Sequence, residues 1–243
     1  MSAPVDAAQS LAQTSNDEKT PSTSAEAAVL ASSTASNTAN PSSTPSDASR
    51  GQSSAATASA SELARTKITL LGALKHFPDF PIPGIKFIDI LPLFQDPAIH
   101  NALLRALELQ ILEFGDHAKP DVIVGLDARG FLFGPSLALR LNASFVPVRK
   151  KGKMPGPCVT ATYEKEYGTD YFQMQEGAVK PGQKVLVVDD IIATGGSAAA
   201  AGSLVKQLGG NLIGYLFILE IPILNGRSKL GGVPTVTLLE TNE

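Results

Sequence analysis

The stretch VLVVDDIIATGGSAAAAGSLVKQLG, which begins at Val185, constrains the fold more than any other part of the chain. Its opening residues, Val185 to Val188, form a short β-branched run that is typical of a strand buried on both faces of a parallel sheet. From Ser197 the apolar residues recur at helical spacing until Gly209 and Gly210, where a helix would end. The stretch therefore predicts a strand, a loop and a helix, with function at the carboxyl end of the strand.

The loop between this strand and this helix has the composition of a phosphate-binding site. Thr194, Gly195, Gly196 and Ser197 stand at a helix N-terminus, where unpaired backbone NH groups and the helix dipole attract an anion. Glycine permits the close approach, so a β-branched residue at Gly196 should block it. The stretch has no G-x-x-x-x-G-K-[ST] and no G-x-G-x-x-G, which argues against a nucleoside triphosphatase or a dinucleotide enzyme. A site for a single phosphate is therefore predicted.

Two adjacent acids, Asp189 and Asp190, precede this loop. Ionised carboxylates accept hydrogen bonds, so their natural partners beside a phosphate are sugar hydroxyls. A ribose 5-phosphate matches both features. Adjacent strand residues point to opposite faces, so both acids reach one sugar only if the chain has left the strand before them. Otherwise one of them contacts the sugar and the other supports the site.

A second strand, loop and helix are predicted at DVIVGLDARGFLFGPSLALRLN, with the strand over Val122–Val124 and the helix through Leu137–Leu141. The runs NLIGYLFILE and VPTVTLLE indicate later strands. This order is typical of an α/β fold, with a central, mainly parallel sheet flanked by helices. Loops at the carboxyl ends of parallel strands meet at one edge of such a sheet, where ligands bind. We therefore expect both loops to face one substrate.

The remaining segments of the folded part are less specific. Helices are predicted over Leu63–Leu74 and over Pro97–Phe114, the second with Asp96 as its N-cap. The basic segment SFVPVRKKGKMPG has two interpretations, a solvated surface or a mobile flap that closes over phosphates. The run TATYEKEYGTDYFQMQ indicates strand material, interrupted around Glu164–Gly168, that pairs with the segment before Cys158.

Composition divides the chain into two parts. Residues 1–60 are dominated by Ser, Thr and Ala and contain no aromatic residue, which predicts a disordered tail followed by one domain over residues 61–243. The tail holds five of the 23 acidic and two of the 20 basic residues, so the remainder is neutral, with 18 of each. A neutral domain argues against nucleic acid as a partner.

The location in the cell is predicted from the length of the apolar runs, the pattern of the N-terminal residues and the number of cysteines. No apolar run reaches the roughly 18 residues of a membrane span, so we expect no membrane partner. The tail lacks the pattern of a signal or transit peptide. Cys158 is the single cysteine, which fits a reducing compartment. The expected location is the cytoplasm.

The motif VLVVDDIIATGGS resembles the signature of type I phosphoribosyltransferases. FPDFPIPGIKFIDI, GLDARGFLFGPSLA, VRKKGKMPG and YEKEYG are similar to blocks of the adenine phosphoribosyltransferases, over about Phe77 to Leu239. The resemblance implies the type I fold with a small hood and a flexible hairpin flap, and a homodimer. It also implies purine salvage: ribose 5-phosphate passes from phosphoribosyl pyrophosphate to adenine, giving AMP and pyrophosphate. Mg²⁺ would be carried mainly by the pyrophosphate substrate.

The resemblance assigns the substrate contacts residue by residue. The 5-phosphate would be bound by Ala193, Thr194, Gly195, Gly196 and Ser197, and the ribose hydroxyls by Asp189 and Asp190. The pyrophosphate would be bound by Asp127, Ala128, Arg129 and Gly130, and the Asp127–Ala128 peptide is expected to be cis. Adenine would stack between Phe87 and Ile191, with the backbone of Lys86 and Ile88 reading its edge.

Two catalytic residues are also implied by the resemblance. Arg149 would stabilise the leaving group, and Glu166, which precedes a Tyr-Gly pair, would manage the proton that adenine loses. Lys153 and Tyr167 would face the phosphates or belong to the flap. Some of these residues are expected to act across a dimer interface.

Two alternatives stay open. A regulator of the same fold would bind phosphoribosyl pyrophosphate without turnover. It would usually carry a DNA-binding domain, and the acidic tail lacks the basic residues of such a domain. A transferase for another purine would offer a charged side chain to the exocyclic oxygen, whereas the predicted base pocket is Phe87, Ile191 and backbone. Both alternatives are therefore disfavoured.

Overall fold

Helices and strands alternate along the chain in the computed structural model, which describes residues 48–112, 119–165 and 168–240. The side chains of residues 48–56, 164, 165 and 168 are excluded from that description. All described residues belong to one compact unit, Ser46–Glu243.

The central feature of the described part is a seven-stranded sheet. Its strands are β3 (Val122–Leu126), β4 (Ser144–Lys150), β5 (Cys158–Lys165), β6 (Gly168–Gln175), β7 (Lys184–Ile192), β8 (Asn211–Glu220) and β9 (Thr235–Glu240). They lie in the order β5-β6-β4-β3-β7-β8-β9. Five neighbouring strands, in the order β4-β3-β7-β8-β9, are mutually parallel. At the β4 edge, β6 pairs antiparallel with β4, and β5 pairs antiparallel with β6. The predicted mainly parallel sheet is confirmed.

A separate two-stranded sheet forms the small hood. It consists of β1 (Lys75–Phe77) and β2 (Phe87–Asp89), which are antiparallel. The proline-rich segment between them contains a cis Phe80–Pro81 peptide, and Asp79 accepts a hydrogen bond from the Gly84 NH at 2.8 Å. The proline-rich segment is therefore a loop closed by two short strands.

Five α-helices accompany the described strands: α1 (Ala48–Ala73), α2 (Pro92–Gln95), α3 (Pro97–Ile111), α4 (Gly130–Leu141) and α5 (Gly196–Gln207). The cap of α3 is as predicted, because the Asp96 carboxylate accepts hydrogen bonds from the NH groups of Ala98 and Ile99 at 2.7 and 3.2 Å. Two 3₁₀ turns, Pro222–Leu224 and Gly226–Leu230, connect β8 to β9.

Helix α1 begins earlier than the predicted Leu63. Helical backbone thus covers residues 48–60, which composition had placed in a disordered tail. The physical reason is that alanine favours a helix even where no apolar side chain is available for a core. Among the side chains of α1 that the structure describes, from Thr57 onward, the first buried one is Leu63, which lies close to the predicted domain boundary. The rest of the predicted tail, residues 1–47, lies outside the described residues.

The helices cover both faces of the sheet, as the predicted fold requires. On one face α1, α3 and α4 contribute Leu70, Leu107 and Leu137 to the core, and on the other α5 contributes Leu204 and Val205. The central strand β3 is buried throughout, because Val122 to Leu126 carry no exposed side chain. The loop that follows β3 is therefore attached to a well-packed part of the core.

The hairpin β5–β6 joins the sheet through β4. Arg149 and Lys150 pair with Gln173 and Phe172, which confirms that the interrupted strand material pairs with the segment before Cys158. The register also explains how Pro147 fits inside a sheet: it pairs with Gly125 of β3, and the pairing with β6 covers only Arg149 and Lys150. Proline is tolerated because its missing NH removes no bond on that side.

Candidate active site

A cavity of about 280 Å³ opens at the carboxyl ends of β3 and β7. Its lining includes the predicted loop residues Asp127, Ala128 and Arg129, and the continuous segment Asp189–Ala198. Lys150, Tyr163, Phe172 and Phe217 complete it. The two strand-loop-helix units thus face one site, as the sequence predicted.

The predicted site residues divide into three groups. Those that line the cavity are Asp127, Ala128, Arg129, Asp189, Asp190, Ile191, Ala193, Thr194, Gly195, Gly196 and Ser197. Those described but outside the lining are Lys86, Phe87, Ile88, Gly130, Arg149 and Lys153. Glu166 and Tyr167 lie outside the described residues. The substrate contacts assigned to all three groups remain predictions.

The loop predicted to bind phosphate, Thr194–Ser197, is built around Gly195. This residue is the N-cap of α5 with φ +77, and as a glycine it offers no side chain to bond the first NH groups of the helix. Those NH groups are therefore available to an anion at the positive end of the helix dipole. Sequence analysis placed the conformational constraint on Gly196. The structure places the positive φ on Gly195, because Gly196 is already the first residue of the helix.

The two acids lie within β7, which continues to Ile192. The chain has therefore not left the strand before them, yet both line the cavity. Asp190 is buried and accepts a charge-assisted bond from Arg129, with Nε 2.8 Å from Oδ2. Arg129 thus ties the loop after β3 to the end of β7.

Burial alters the acid–base properties of this pair. It raises the pKa of Asp189 well above the ordinary value, and the neighbouring charge of Asp190 raises it further. Asp189 as a whole residue is partly exposed, but its carboxyl group lies deep enough for desolvation to dominate. Burial also raises the pKa of Asp190, while the Arg129 guanidinium opposes that rise. Protonation of one carboxyl group thus relieves the repulsion between the two close carboxylates.

The loop after β3 carries the cis peptide Asp127–Ala128, as predicted. The next residues begin α4, and Gly130 packs so closely that a Cβ there would lie 2.9 Å from the Val188 carbonyl oxygen. Arg149 contacts this loop from β4, with its Nε 3.1 Å from Asp127 Oδ2. Its Nη1 donates to the Lys153 carbonyl oxygen at 3.1 Å. Arg149 thus links the loop to the start of the flap.

Three aromatic residues of the cavity were missed by sequence analysis. Tyr163 and Phe172 stack face to face across the β5–β6 hairpin, with ring centroids 4.6 Å apart, and Phe217 comes from β8. The Tyr163 hydroxyl donates to Asp170 at 3.1 Å. Alternation along TATYEKEYGTDYFQMQ could have shown which residues share a face, but not that this face meets the phosphate loop.

The hood residues lie apart from the cavity lining. Phe87 packs edge-on against Phe80, with ring centroids 5.1 Å apart. Phe80 and Ile82 are more than half exposed. Phe80 and Ile82 thus form an exposed apolar surface beside Phe87.

Comparison with known proteins connects this geometry to a family. Residues 94–223 match the phosphoribosyl transferase domain. The chain is 58% identical over 175 residues to the adenine phosphoribosyltransferase of Yarrowia lipolytica, covering 72% of this chain and 95% of that protein. The chain belongs to the adenine phosphoribosyltransferase family. Adenine phosphoribosyltransferase 1 of Saccharomyces cerevisiae is 54% identical over 171 residues, with 70% and 91% covered.

Solved structures of this family share the fold. The Saccharomyces cerevisiae adenine phosphoribosyltransferase, solved with an imino-altritol bisphosphate and adenine, has a TM-score of 0.70 and 54% identity, covering 72% of this chain and 99% of that one. The Trypanosoma brucei enzyme, solved with AMP, pyrophosphate and ribose-5-phosphate, has a TM-score of 0.65 and 26% identity, covering 72% and 79%. The predicted type I phosphoribosyltransferase fold is therefore confirmed.

Within residues 48–112, 119–165 and 168–240, no three His, Cys, Asp or Glu side chains cluster as metal ligands would. In the same ranges, no helix is long and apolar enough to cross a membrane.

Proposed function

We propose that this adenine phosphoribosyltransferase transfers ribose 5-phosphate from phosphoribosyl pyrophosphate to N9 of adenine, giving AMP and pyrophosphate in purine salvage. The observation that carries the proposal is the cavity itself. It unites a glycine loop at a helix N-terminus with two adjacent carboxylates, and it does so in a chain of this family. Phosphate and sugar hydroxyls are the ligands that these two features suit.

Binding of the ribose 5-phosphate follows from the ends of β7 and α5. The NH groups of Ala193–Ser197 receive the 5-phosphate, and the Thr194 and Ser197 hydroxyls add donors. Asp189 and Asp190 accept hydrogen bonds from the ribose hydroxyls. Substrate hydroxyls stabilise the ionised carboxylates and so lower the two pKa values that burial raises.

Departure of pyrophosphate separates a positively charged sugar from an anionic leaving group, so catalysis consists mainly of charge stabilisation. Arg129 and Lys150 line the cavity, and Arg149 contacts Asp127 of the loop after β3 and the Lys153 carbonyl oxygen. These cations, with Ala128 and Gly130 as backbone donors, receive the pyrophosphate. Arg129 must exchange its bond to Asp190 for the substrate when the site fills.

Mg²⁺ accompanies the pyrophosphate substrate in this proposal. Asp127, Asp189 and Asp190 line the cavity, but no three His, Cys, Asp or Glu side chains in the described ranges cluster as metal ligands, so the substrate's phosphate oxygens would hold most of the ion's coordination. When bound, the ion neutralises charge on the pyrophosphate.

The base lies between the hood and the end of β7. Phe87 and Ile191 sandwich adenine, and the backbone of Lys86 and Ile88 reads its edge. The flap excludes water from the cationic sugar. It brings Glu166 and Tyr167 to the site, where the Glu166 carboxylate steadies the proton that adenine loses.

The assembly is a homodimer located in the cytoplasm. Support for the dimer comes from α4, where Leu132 and Leu139 are 40% and 82% exposed, an arrangement typical of a surface covered by a second chain. Support for the location comes from the single cysteine. Sedimentation of the purified protein tests the dimer.

Assay of purines one by one with phosphoribosyl pyrophosphate tests the function. Adenine should be converted to AMP, with kcat/KM at least about 100-fold above that for hypoxanthine, guanine or xanthine, because the backbone of Lys86 and Ile88 suits only the adenine edge. Binding of phosphoribosyl pyrophosphate without turnover of any purine would instead identify a regulator. Preference for an oxopurine would identify a different transferase.

A further inference from the structure

An ion pair between Glu220 and Arg227 lies behind the phosphate loop. Glu220 ends β8 and is buried, and Arg227 belongs to the 3₁₀ turn Gly226–Leu230. Arg227 Nε lies 2.8 and 3.0 Å from the two Glu220 carboxylate oxygens, and Nη2 lies 2.5 Å from one of them. The same guanidinium donates to the Thr235 carbonyl oxygen at 2.7 Å and to the Thr237 hydroxyl at 3.0 Å. The turn is thereby fixed to β8 and β9.

Gly226, the residue next to Arg227, packs directly against the phosphate loop. A Cβ at Gly226 would overlap the Ala193 carbonyl oxygen and lie 2.9 Å from the Gly195 nitrogen. In return, a Cβ at Gly195 would overlap the Gly226 carbonyl oxygen and lie 2.9 Å from its carbon. The two backbones thus touch with no side chain between them, so a movement of either one moves the other.

The chain is held in place on both sides of Gly226. After it, Leu230 is 4% exposed and packs in the same core cluster as Leu204 of α5. Before it, directly after β8, the NH of Ile221 donates to the Ile192 carbonyl oxygen at 3.0 Å. Between these anchors, Arg227 provides the charged contact that fixes Gly226. The Arg227 guanidinium lowers the pKa of Glu220, which keeps the pair ionised at neutral pH.

We propose that Glu220 and Arg227 are positioning residues for the 5-phosphate: they hold Gly226 against Ala193–Gly195 and so fix the directions of the loop NH groups. Neither residue lines the cavity. Binding of an anion by backbone NH groups depends on donor positions to within about 0.5 Å, so a small displacement of the turn weakens phosphate binding. The inference rests on the proposed assignment of this loop to the 5-phosphate.

Arg227→Met tests the proposal, with Arg105→Met as its matched control. Arg105 also forms a two-bond ion pair, with Glu62 at 2.9 and 3.1 Å, and its side chain is 46% exposed against 41% for Arg227. Arg227→Met should raise KM for phosphoribosyl pyrophosphate and Kd for AMP by about tenfold, the effect of one weakened charged hydrogen bond. The kcat and the KM for adenine should change by less than about threefold, because only phosphate binding is altered. Arg105→Met should change none of these constants.

Glu220→Gln gives a second, milder variant. It keeps the shape of the side chain and, unlike Arg227→Met, leaves no buried carboxylate without its cation. It should change the same two constants in the same direction. If both variants lower Tm but leave KM for phosphoribosyl pyrophosphate and Kd for AMP unchanged, the pair is only structural and the proposal is overturned. A lower kcat with unchanged KM overturns it too. Gly195→Ala separates this failure from failure of the site: if it leaves AMP binding intact, the loop does not bind the phosphate.

Discussion

Replacing Gly195 by alanine should damage both the stability of the domain and its affinity for AMP. Gly195 has φ +77, and an alanine in this left-handed region costs about 1–2 kcal/mol. Its Cβ would also overlap the Gly226 carbonyl oxygen and lie 3.1 Å from Gly226 Cα. Overpacking of this kind costs about 1–3 kcal/mol, so the total is about 2–5 kcal/mol. Tm should fall by about 2–4 °C for each kcal/mol in a domain of this size.

Loss of AMP affinity has a separate cause. To avoid Gly226, the loop must move, and the NH groups that receive the phosphate move with it. Loss of one hydrogen bond to a charged group costs about 1.5–3 kcal/mol, which corresponds to about 10- to 150-fold in Kd. Titration calorimetry with AMP measures this loss directly.

Gly177→Ala is the matched control. Gly177 has φ +75, nearly the same as Gly195, but a Cβ there would have no neighbour within 4 Å. It lies between β6 and β7 and outside the cavity lining. Its alanine variant should show the backbone cost of about 1–2 kcal/mol alone, with unchanged AMP affinity. Equal effects of the two substitutions on Tm and on AMP binding would refute the reasoning.

Three further predictions follow from the site and the tail. Asp189→Asn should raise Tm of the empty protein by about 2–4 °C at neutral pH, the scale of 1 kcal/mol, while weakening substrate binding. The sign follows because folding raises the pKa of Asp189 above its ordinary value of 3.8. As the pH rises through that interval, ionisation of the carboxyl group costs the folded state stability. The Tm values of the variant and the original protein should therefore converge in acid and differ at neutral pH. Glu166→Gln should lower kcat by about 10²-fold or more with little change in affinity for phosphoribosyl pyrophosphate, whereas Glu164→Gln should be nearly silent in the same steady-state assay. Deletion of residues 1–60 should change Tm by less than about 4 °C, since Leu63 is the first buried residue among the side chains that the structure describes, and a larger drop in a melting curve would show that the early turns of α1 contribute.

Features with a local cause were predictable from the sequence. The strand β8 coincides with NLIGYLFILE, and the cap of α3 was predicted by Asp96 before Pro97, because hydrophobic runs and caps act over a few residues. The phosphate loop was predicted for the same reason, since its glycines and its helix are neighbours in the chain. The extent of α1 was not, because helix formation by alanine leaves no apolar pattern to detect.

The sequence by itself determined the loop glycines, the helix N-terminus and the adjacent carboxylates, because these features are neighbours in the chain, and their binding of a phosphate and a sugar stays a prediction. Only the tertiary structure decided what stands behind them. Contact of Gly226 with Gly195 and the Arg129–Asp190 bond join residues far apart in the chain. Such contacts depend on strand order and close packing, which no short stretch of sequence specifies.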